Sequence, residues 1–175
     1  MNELVLVSGS GRGLGASIAK TFVNNGYKVA INYFRSKEKA EELAKELGDN
    51  ACAFCADVRD VEQVNAMINE IKTKFNQSPS ILVNNAMTEY VFNGDERKFA
   101  DEISWNEITQ HLDVTLKGSL NLIQSLIPSM KKNSHGRIIN IGTNLVQNPV
   151  VPYHDYTIAK AALLGLTRTF AKDLG

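Results

Sequence analysis

The chain has 175 residues, 43% of them hydrophobic, and its 19 lysines and arginines balance its 19 aspartates and glutamates. This length and hydrophobic content predict one globular domain, and a formal net charge of zero gives nucleic-acid binding little electrostatic support. No stretch of the sequence approaches the ~20 apolar residues of a membrane span, and the first residues lack the basic flank of a signal peptide, so we expect a cytoplasmic protein.

Short apolar runs alternate with amphipathic stretches along the chain. The runs that predict strands are LVLVS, YKVAINY, ACAFCAD, SILVNNA and GRIINIG. The stretches that predict helices cover about residues 13–25, 36–48, 61–75, 104–130 and 154–174. Because continuous apolar strands separated by amphipathic helices are typical of a parallel sheet covered on both faces, we expect an α/β fold.

Several residues mark the ends of these helices. Ser36 stands at an N-cap position of the second helix, and Gly48 stands at its C-terminal stop. Ser104 and Glu107 have the spacing of a capping box before the fourth helix, whose last turn Pro128 is expected to disturb. The segment from Met87 to Val114 is the least regular part of the chain, and we expect it to carry a loop over the strand ends.

Two cysteines, Cys52 and Cys55, have a Cys-x-x-Cys spacing. A redox or zinc site needs a turn or a helix start to bring two such sulfurs together. This stretch is predicted to be a strand, in which residues three apart point to opposite faces, so we expect structural cysteines. His111 and His135 have no partners at ligand spacing and are expected at the surface, and no metal site is predicted.

A glycine-rich turn, VSGSGRGLGAS, follows the first strand and opens the first helix. Glycines let the backbone approach a phosphate closely, and a helix N-terminus offers free N–H groups and a positive dipole end. The spacing is Gly9-x-x-x-Gly13-x-Gly15, and the shifted frame Gly11-x-Gly13-x-x-Ala16 fits a looser dinucleotide pattern. Tight packing is the alternative explanation, but the strand–turn–helix context favours a nucleotide site.

The stretch PYHDYTIAK places Tyr156 and Lys160 four residues apart. On a helix, side chains at this spacing lie on one face, one turn from each other. The pair could be an ordinary solvated helix face, which is the usual role of such residues. His154 and Asp155 are adjacent and do not face each other on a helix, so they make a poor hydrolase triad.

Together these residues resemble the short-chain dehydrogenase/reductase family. The family has a Thr-Gly-x-x-x-Gly-x-Gly turn, Asn-Asn-Ala-Gly after strand four, and Tyr-x-x-x-Lys with a serine thirteen residues before the tyrosine. The chain shows SGSGRGLG from Ser8, NNAM from Asn84 and YTIAK from Tyr156, and FCADV resembles the family's adenine contact at Asp57 and Val58. Three longer stretches, VAINYFRSKEKAEEL, GRIINIG and TRTFAKDLG, look most like the 3-oxoacyl-(acyl-carrier-protein) reductase branch, which acts in fatty acid biosynthesis.

The resemblance implies a Rossmann-like, doubly wound sheet of strand order 3-2-1-4-5, and a single NAD(P)-binding domain over residues 1–175. It implies a cofactor site built from the glycine-rich turn, the strand ends and the tyrosine–lysine pair: Gly9, Ser10, Gly11, Arg12, Gly13, Leu14, Gly15, Arg35, Ser36, Asp57, Val58, Asn84, Ala86, Tyr156 and Lys160. The catalytic residues that it implies are Tyr156, Lys160, Thr143 and Thr115.

The sequence departs from the family pattern at four places. Thr143 stands at the position of the family serine and keeps a hydroxyl, whereas Thr115 replaces the usual asparagine and removes the anchor of a proposed proton-relay water. Met87 replaces the glycine of Asn-Asn-Ala-Gly and is expected to crowd the cofactor side of strand four. The sequence stops at Gly175, where relatives continue with two more strands, so we expect a C-terminally incomplete chain whose fifth strand is an exposed edge.

In the mechanism that the resemblance implies, Tyr156 protonates the carbonyl oxygen while hydride passes from the nicotinamide to the carbonyl carbon. A lysine ammonium ~5 Å away, at an effective dielectric constant of ~20, favours the phenolate form by about 3 kcal/mol. Lys160 is therefore nearly sufficient to prepare the phenol for proton transfer. The resemblance also implies that Lys160 holds the nicotinamide ribose and that Thr143 orients the carbonyl.

Basic residues near the end of strand two indicate the choice of cofactor. NAD-preferring sites place an acid there to hold the ribose 2′-hydroxyl. The segment NYFRSK has no acid and contains Arg35, with Lys37 as its last residue, and Arg12 adds a second cation of the kind that NADP-dependent relatives carry. These residues favour NADP(H), and an ordinary solvated loop is the alternative.

The sequence thus predicts an NADPH-dependent carbonyl reductase, with a 3-oxoacyl thioester as the leading substrate class. An alcohol or sugar-alcohol dehydrogenase is one alternative. A dinucleotide-binding sensor or subunit without turnover is another, and Thr115 and Met87 favour it. Relatives usually associate through the two long helices, here about 104–130 and 154–174, so we expect a homodimer or homotetramer and no nucleic-acid or membrane partner.

Overall fold

The computed structural model describes residues 3–175, which fold around one five-stranded sheet. The strands are β1 (Leu4–Val7), β2 (Lys28–Tyr33), β3 (Ala51–Cys55), β4 (Ile81–Asn84) and β5 (Arg137–Asn140). All neighbouring strands pair in parallel, in the order β3-β2-β1-β4-β5. The predicted α/β class, the Rossmann-like architecture and the strand order are therefore confirmed.

Helices connect the strands and cover both faces of the sheet. They are α1 (Gly13–Asn24), α2 (Lys37–Leu47), α3 (Val61–Phe75), α4 (Trp105–Leu112), α5 (Gly118–Lys132) and α6 (His154–Leu174). Each lies where the hydrophobic periodicity predicts a helix. Since every connection returns the chain to the same end of the sheet, the carboxyl ends of all five strands meet at one edge.

The core has two layers because alternate residues of each strand face opposite sides of the sheet. Val5 and Val7 pack against α1 and α2, where Ala19 is buried. Leu4 and Leu6 pack on the other side against α3 and α5, where Leu122 is buried. Both faces are apolar, and this explains why the strand sequences are continuous apolar runs.

The predicted fourth helix is divided into three parts. Its capping box is present, since the Ser104 hydroxyl accepts a hydrogen bond from the Glu107 N–H at 3.3 Å and the Glu107 carboxylate accepts one from the Ser104 N–H at 3.0 Å. A five-residue π-helical segment, Asp113–Lys117, then separates α4 from α5. The expectation of one continuous α-helix is wrong in this detail, and such π-helical insertions frequently occur at functional sites.

Pro128 lies inside α5 and does not end it, because the helix continues to Lys132. Leu126 and Met130, on either side of the proline, are both buried in the core. Their burial offsets the roughly 3 kcal/mol that an interior proline costs a helix.

The irregular segment before α4 contains only one short 3₁₀ turn, Gly94–Glu96, among its described residues.

The other local expectations can be compared with the structure directly. Gly48 ends α2 with a φ of +68°, as expected for a glycine at this position. Ser36 occupies the N-cap position, but its hydroxyl makes no capping hydrogen bond. Cys52 and Cys55 lie on β3 as predicted and are not disulfide-bonded.

Strand β5 pairs with β4 on one side and is the edge of the sheet over the described residues. Ile139, in its middle, is 43% exposed. Between residues 3 and 175, the structure contains no helix that is both long enough and apolar enough to cross a membrane.

Candidate active site

The glycine-rich turn lies at the carboxyl end of β1 and leads directly into α1. Gly9 and Gly13 have φ angles of +60° and +58°, which favour glycine over any residue with a side chain. At Gly9 a Cβ atom would also lie 2.8 Å from the Cα of Ala86. The backbone of the turn therefore touches the segment after β4, and no side chain fits between them.

Ser8 and Asn85 join this turn to the end of β4. The buried Ser8 hydroxyl accepts hydrogen bonds from the N–H groups of Asn85 and Ala86, both at 3.0 Å. The Asn85 side-chain amide donates to the carbonyls of Ser8 and Gly9, again at 3.0 Å. The sequence analysis assigned no role to the side chains of these two residues, although a serine and an asparagine at strand ends were a visible signal.

Asn32, on β2, supports the turn from the other side. Its side chain is only 2% exposed, and its Oδ1 accepts a hydrogen bond from the Gly9 N–H at 3.1 Å. Its backbone carbonyl accepts from the Ser10 N–H at 2.8 Å, and its Nδ2 donates to the Ala56 carbonyl at 3.1 Å. One amide thus links β1, β2 and β3, a role that the sequence analysis missed although a polar residue inside the apolar run VAINY indicated it.

The start of α1 is open for an anion. Arg12 holds the N-cap position without a side-chain capping bond, and the first turn contains no acidic residue. The Leu14 side chain is exposed, and the Ser10 hydroxyl donates a hydrogen bond to the Val7 carbonyl at 2.7 Å. A helix N-terminus with unpaired N–H groups fits the pyrophosphate of a dinucleotide.

The end of β2 carries a cationic and aromatic cluster, formed by Phe34, Arg35 and Arg59. The guanidinium carbons of Arg35 and Arg59 lie 5.6 and 5.9 Å from the centroid of the exposed Phe34 ring. Arg59 also binds both carboxylate oxygens of Asp57, the shorter contact being 2.6 Å, and these hydrogen bonds lower the pKa of Asp57. Asp57 thus lies at this end of the sheet and is already paired with Arg59.

Other predicted cofactor residues surround the same edge. Ser36 lies so close to Gly11 that a Cβ atom there would come within 2.6 Å of the serine hydroxyl. Val58 is buried against Gly118 at the start of α5. The exposed guanidinium of Arg12 is 3.9 Å from the Glu89 carboxylate, which partly neutralises this predicted cation.

Tyr156 and Lys160 lie in the first two turns of α6, above the carboxyl end of β5. Lys160 is only 4% exposed, and its Nζ donates a hydrogen bond to the Ile141 carbonyl at 2.5 Å. Its Nζ is 5.8 Å from the centroid of the Tyr156 ring. Burial lowers the pKa of Lys160, because an ammonium loses hydration there.

The two threonines of the predicted catalytic set have different surroundings. The Thr143 hydroxyl accepts a hydrogen bond from the Leu145 N–H at 3.3 Å and so caps the 3₁₀ turn Asn144–Val146 after β5. Thr115 is buried in the π-helical segment, and its backbone carbonyl accepts from the Ser119 hydroxyl at 2.6 Å. Met87 has a 36% exposed side chain, so the tight contact with the turn comes from Ala86 instead.

Asn84 ends β4 and is buried. Its Nδ2 donates to the Asn140 Oδ1 at 2.8 Å, and Asn140 donates in turn to the Thr167 hydroxyl at 2.8 Å on α6. The Asn84 Oδ1 is buried without a hydrogen-bond partner among the described residues. This side chain therefore links β4 to β5 and α6, and its free acceptor is available to a further donor.

His111 lies in the interior, 4% exposed, so its expected position at the surface is wrong. Its Nε2 is 3.5 Å from the Asp155 carboxylate and 2.9 Å from the Thr88 hydroxyl. Burial lowers the pKa of His111, and the positive charges of Arg97 and Lys160 lower it further. The Asp155 carboxylate acts in the opposite direction and raises this pKa. The sequence analysis missed this cluster because its partners lie far apart along the chain.

Within residues 3–175, no three histidine, cysteine, aspartate or glutamate side chains are grouped so that they could hold a metal ion. The structure instead brings the glycine-rich turn, the end of β2 and the tyrosine–lysine pair to one edge of the sheet. An anion-binding turn next to a phenol and an ammonium is an arrangement suited to dinucleotide-dependent proton and hydride transfer.

Comparison with known proteins agrees with this geometry. The family model described as short chain dehydrogenase matches residues 3–175. A 3-oxoacyl-(acyl-carrier-protein) reductase of Staphylococcus aureus strain Mu50 is 37% identical over 179 residues, which cover 99% of this chain and 69% of the relative.

Two solved structures are similar to this chain, each at 30% sequence identity. The 3-ketoacyl-(acyl-carrier-protein) reductase of Brucella melitensis complexed with NADH has a TM-score of 0.88 over 98% of this chain and 70% of that one. The closed form of a serine dehydrogenase complexed with NADP⁺ has a TM-score of 0.86 over 98% of this chain and 66% of that one. The chain therefore belongs to the short-chain dehydrogenase family, whose members are oxidoreductases that bind a nicotinamide dinucleotide.

Proposed function

We propose that the protein reduces a carbonyl to an alcohol with NADPH, and that its substrate is a 3-oxoacyl thioester. The observation that carries this proposal is the buried Lys160 ammonium beside the Tyr156 ring, at the same sheet edge as the phosphate-binding turn. The 37% identity to a 3-oxoacyl-(acyl-carrier-protein) reductase supports the substrate class.

Tyr156, Lys160 and Thr143 have different tasks in this reaction. Tyr156 gives its phenolic proton to the carbonyl oxygen, and Lys160 stabilises the phenolate that remains. The Lys160 Nζ lies 5.8 Å from the centroid of the Tyr156 ring. At that distance and an effective dielectric constant of ~20, the ammonium contributes about 3 kcal/mol to the stabilisation of the phenolate. Thr143 keeps a hydroxyl beside the end of β5 that can orient the carbonyl. When bound, the nicotinamide dinucleotide supplies the hydride.

The preference for NADPH rests on charge at the end of β2. No acid stands there to accept hydrogen bonds from a ribose 2′-hydroxyl, and the exposed Arg35 can pair with a 2′-phosphate. Arg59 is fixed next to it by Asp57. A fluorescence titration with NADPH and NADH tests this: we expect tighter binding of NADPH, and equal affinities would contradict the proposed cofactor preference.

Oxidation of a hydroxyl compound is the second candidate. It is favoured by the likeness to a serine dehydrogenase complexed with NADP⁺, at a TM-score of 0.86. The same phenol and ammonium serve both directions, since the phenolate can accept the proton that the phenol donates. Assaying a panel of 3-oxoacyl thioesters with NADPH, and of hydroxy acids and sugar alcohols with NADP⁺, separates the two.

The decisive variant is Tyr156→Phe, which removes one hydroxyl and keeps the ring. We expect turnover to fall by at least about a thousandfold, because the proton donor is lost, while NADPH affinity changes by less than about threefold. Stopped-flow turnover and fluorescence titration measure the two quantities. If the wild-type chain binds NADPH but turns over no carbonyl or alcohol, the protein is a dinucleotide-binding sensor or subunit instead.

We also propose that the chain forms one dinucleotide-binding domain. We further propose that it associates as a homodimer or homotetramer through the helices α4, α5 and α6. Trp105 on α4 is 71% exposed, and Phe99 just before it is also exposed. Exposed aromatic side chains of this size favour burial in an interface. Sedimentation of the wild-type chain and of Trp105→Glu tests the proposal, and an unchanged monomeric species in both would overturn it.

A further inference from the structure

A buried carboxylate lies immediately next to the proposed proton donor. Asp155 is 3% exposed in the first turn of α6, and its Oδ1 accepts a hydrogen bond from the Tyr156 N–H at 2.9 Å. Its Oδ2 accepts from Arg97 at 3.0 Å. A buried charge requires such partners, since an unpaired carboxylate in the interior is strongly destabilising. Arg97 supplies the opposite charge, and its side chain remains partly exposed.

The third hydrogen-bond donor to this carboxylate is the hydroxyl of Tyr90, which donates to Asp155 Oδ1 at 3.0 Å. Tyr90 lies in the irregular segment after β4, 65 residues away in the sequence. Burial, reinforced by the carboxylate, raises the pKa of Tyr90, so its hydroxyl stays a donor. The Arg97 guanidinium carbon is 4.3 Å from the centroid of the Tyr90 ring, which holds the ring from a further direction.

The ring of Tyr90 is stacked on the ring of Tyr156, with centroids 5.7 Å apart and an interplanar angle of 22°. Phe92 contacts Tyr156 edge-on at 5.5 Å, and His111 does so at 6.4 Å. These rings restrict the orientation of the Tyr156 phenol. Orientation matters to the rate, because a misplacement of about 1 Å in a reacting group can cost about a hundredfold.

We propose that Asp155 is a positioning residue for Tyr156: its carboxylate holds the Tyr90 hydroxyl, and the Tyr90 ring holds the phenol of Tyr156 in line for proton transfer. This inference rests on the proposed role of Tyr156 as proton donor. Asp155 acts here through two rings and transfers no proton itself. It also gives a physical reason for a charged residue in the interior, next to the reacting group.

The test compares Tyr90→Phe, Asp155→Ala and the double variant in the full chain. Tyr90→Phe keeps a ring for stacking and removes only the hydroxyl, and we expect kcat to fall about tenfold with KM and NADPH affinity within about twofold of wild type. Asp155→Ala should lower kcat at least as much. The double variant should be no slower than Asp155→Ala, because both changes remove the same hydrogen bond.

The conservative variant Asp155→Asn keeps an oxygen acceptor for Tyr90, so it should recover most of the rate lost in Asp155→Ala. Tyr27→Phe, at the opposite end of β2, removes a tyrosine hydroxyl away from the site and serves as the matched control with wild-type kcat. An unchanged kcat in Tyr90→Phe overturns the proposal, as do fully additive losses in the double variant. A fall in melting temperature with unchanged kcat would assign Asp155 a purely structural role, which also overturns it.

A readout without turnover separates this proposal from the proposed function. In a protein with isotope-labelled tyrosine, the Tyr156 ring signals, identified by their loss in Tyr156→Phe, should carry a ring-current shift from Tyr90. We expect that shift to shrink in Tyr90→Phe and in Asp155→Ala. If the wild-type chain shows no turnover but this pattern holds, the proposed function fails and the positioning contact stands. If kcat falls while the shift is unchanged, the positioning proposal is wrong.

Discussion

The side chain of Asn32 holds the glycine-rich turn in place from the side of β2. Its amide is fully used: the oxygen binds the Gly9 N–H and the nitrogen binds the Ala56 carbonyl. The sequence analysis treated the residue only as part of a strand. Its role could not be predicted further, because hydrophobic periodicity identifies the strand but does not show which backbone groups lie beside it.

We expect Asn32→Ala to lower the free energy of unfolding by about 2 kcal/mol, because it leaves the Gly9 N–H and the Ala56 carbonyl buried without partners. Dinucleotide affinity should fall about tenfold, since the turn loses its support from β2. Denaturant unfolding and fluorescence titration measure the two effects. Asn50→Ala, at an exposed position, is the matched control, and equal losses in both variants would contradict the role of Asn32.

The buried position of His111 is a second feature that the sequence could not give. It lies on α4, where a histidine is compatible with either surface or interior. Its burial depends on Asp155 and Thr88, which lie 44 and 23 residues away along the chain and reach it only in the folded structure. Non-local partners of this kind leave no signal in local periodicity.

Among the elements, the glycine-rich turn offers a sharp test of backbone constraint. Gly9 and Gly26 both have positive φ angles, +60° and +83°. A Cβ atom at Gly9 would lie 2.8 Å from the Ala86 backbone, whereas one at Gly26 would meet no described atom within 4 Å. Gly26→Ala therefore isolates the conformational cost, and Gly9→Ala adds a steric clash.

We expect Gly26→Ala to destabilise the fold by roughly 1–2 kcal/mol and to leave dinucleotide affinity unchanged. Gly9→Ala should cost more stability and should remove measurable binding, because the clash displaces the turn from β4. Calorimetric unfolding and fluorescence titration provide both values for each variant. Weaker binding in Gly26→Ala than in Gly9→Ala would refute the steric argument.

Apolar periodicity predicted the positions of the strands and helices, and the resemblance to the family implied the order of the strands. The sequence analysis did not predict the π-helical segment Asp113–Lys117. That insertion changes the hydrogen-bond pattern by one residue while the apolar face continues through it, so the periodicity hardly registers it. The helix predicted to run to about residue 130 continues to Lys132, and the burial of Leu126 and Met130 outweighs the breaking tendency of Pro128.

At the scale of the whole molecule, His111 links stability to pH. In the folded chain its pKa is lower than the ordinary 6.5. At pH values between the pKa of the folded chain and that of the unfolded chain, the unfolded chain therefore binds more protons. Stability is therefore lost as the pH falls below 6.5. The charged groups that face the ring are Asp155, Arg97 and Lys160, and the last two oppose its protonation.

We expect His111→Gln to flatten the decline in unfolding free energy as the pH falls below about 6.5, because glutamine takes up no proton in either state. Urea unfolding at half-unit pH steps measures the slope. The same slope in His111→Gln and wild type would mean that another group dominates acid unfolding in this range.

The close approach of Gly9 to Ala86 limits which residues can stand directly after β4. The main chains of the glycine-rich turn and of the segment after β4 are in contact there, with no side chain between them. Neither segment can therefore move closer to the other. A larger side chain in place of Ala86 would displace the glycine-rich turn at Gly9. We therefore expect this position to accept no side chain bulkier than a methyl group.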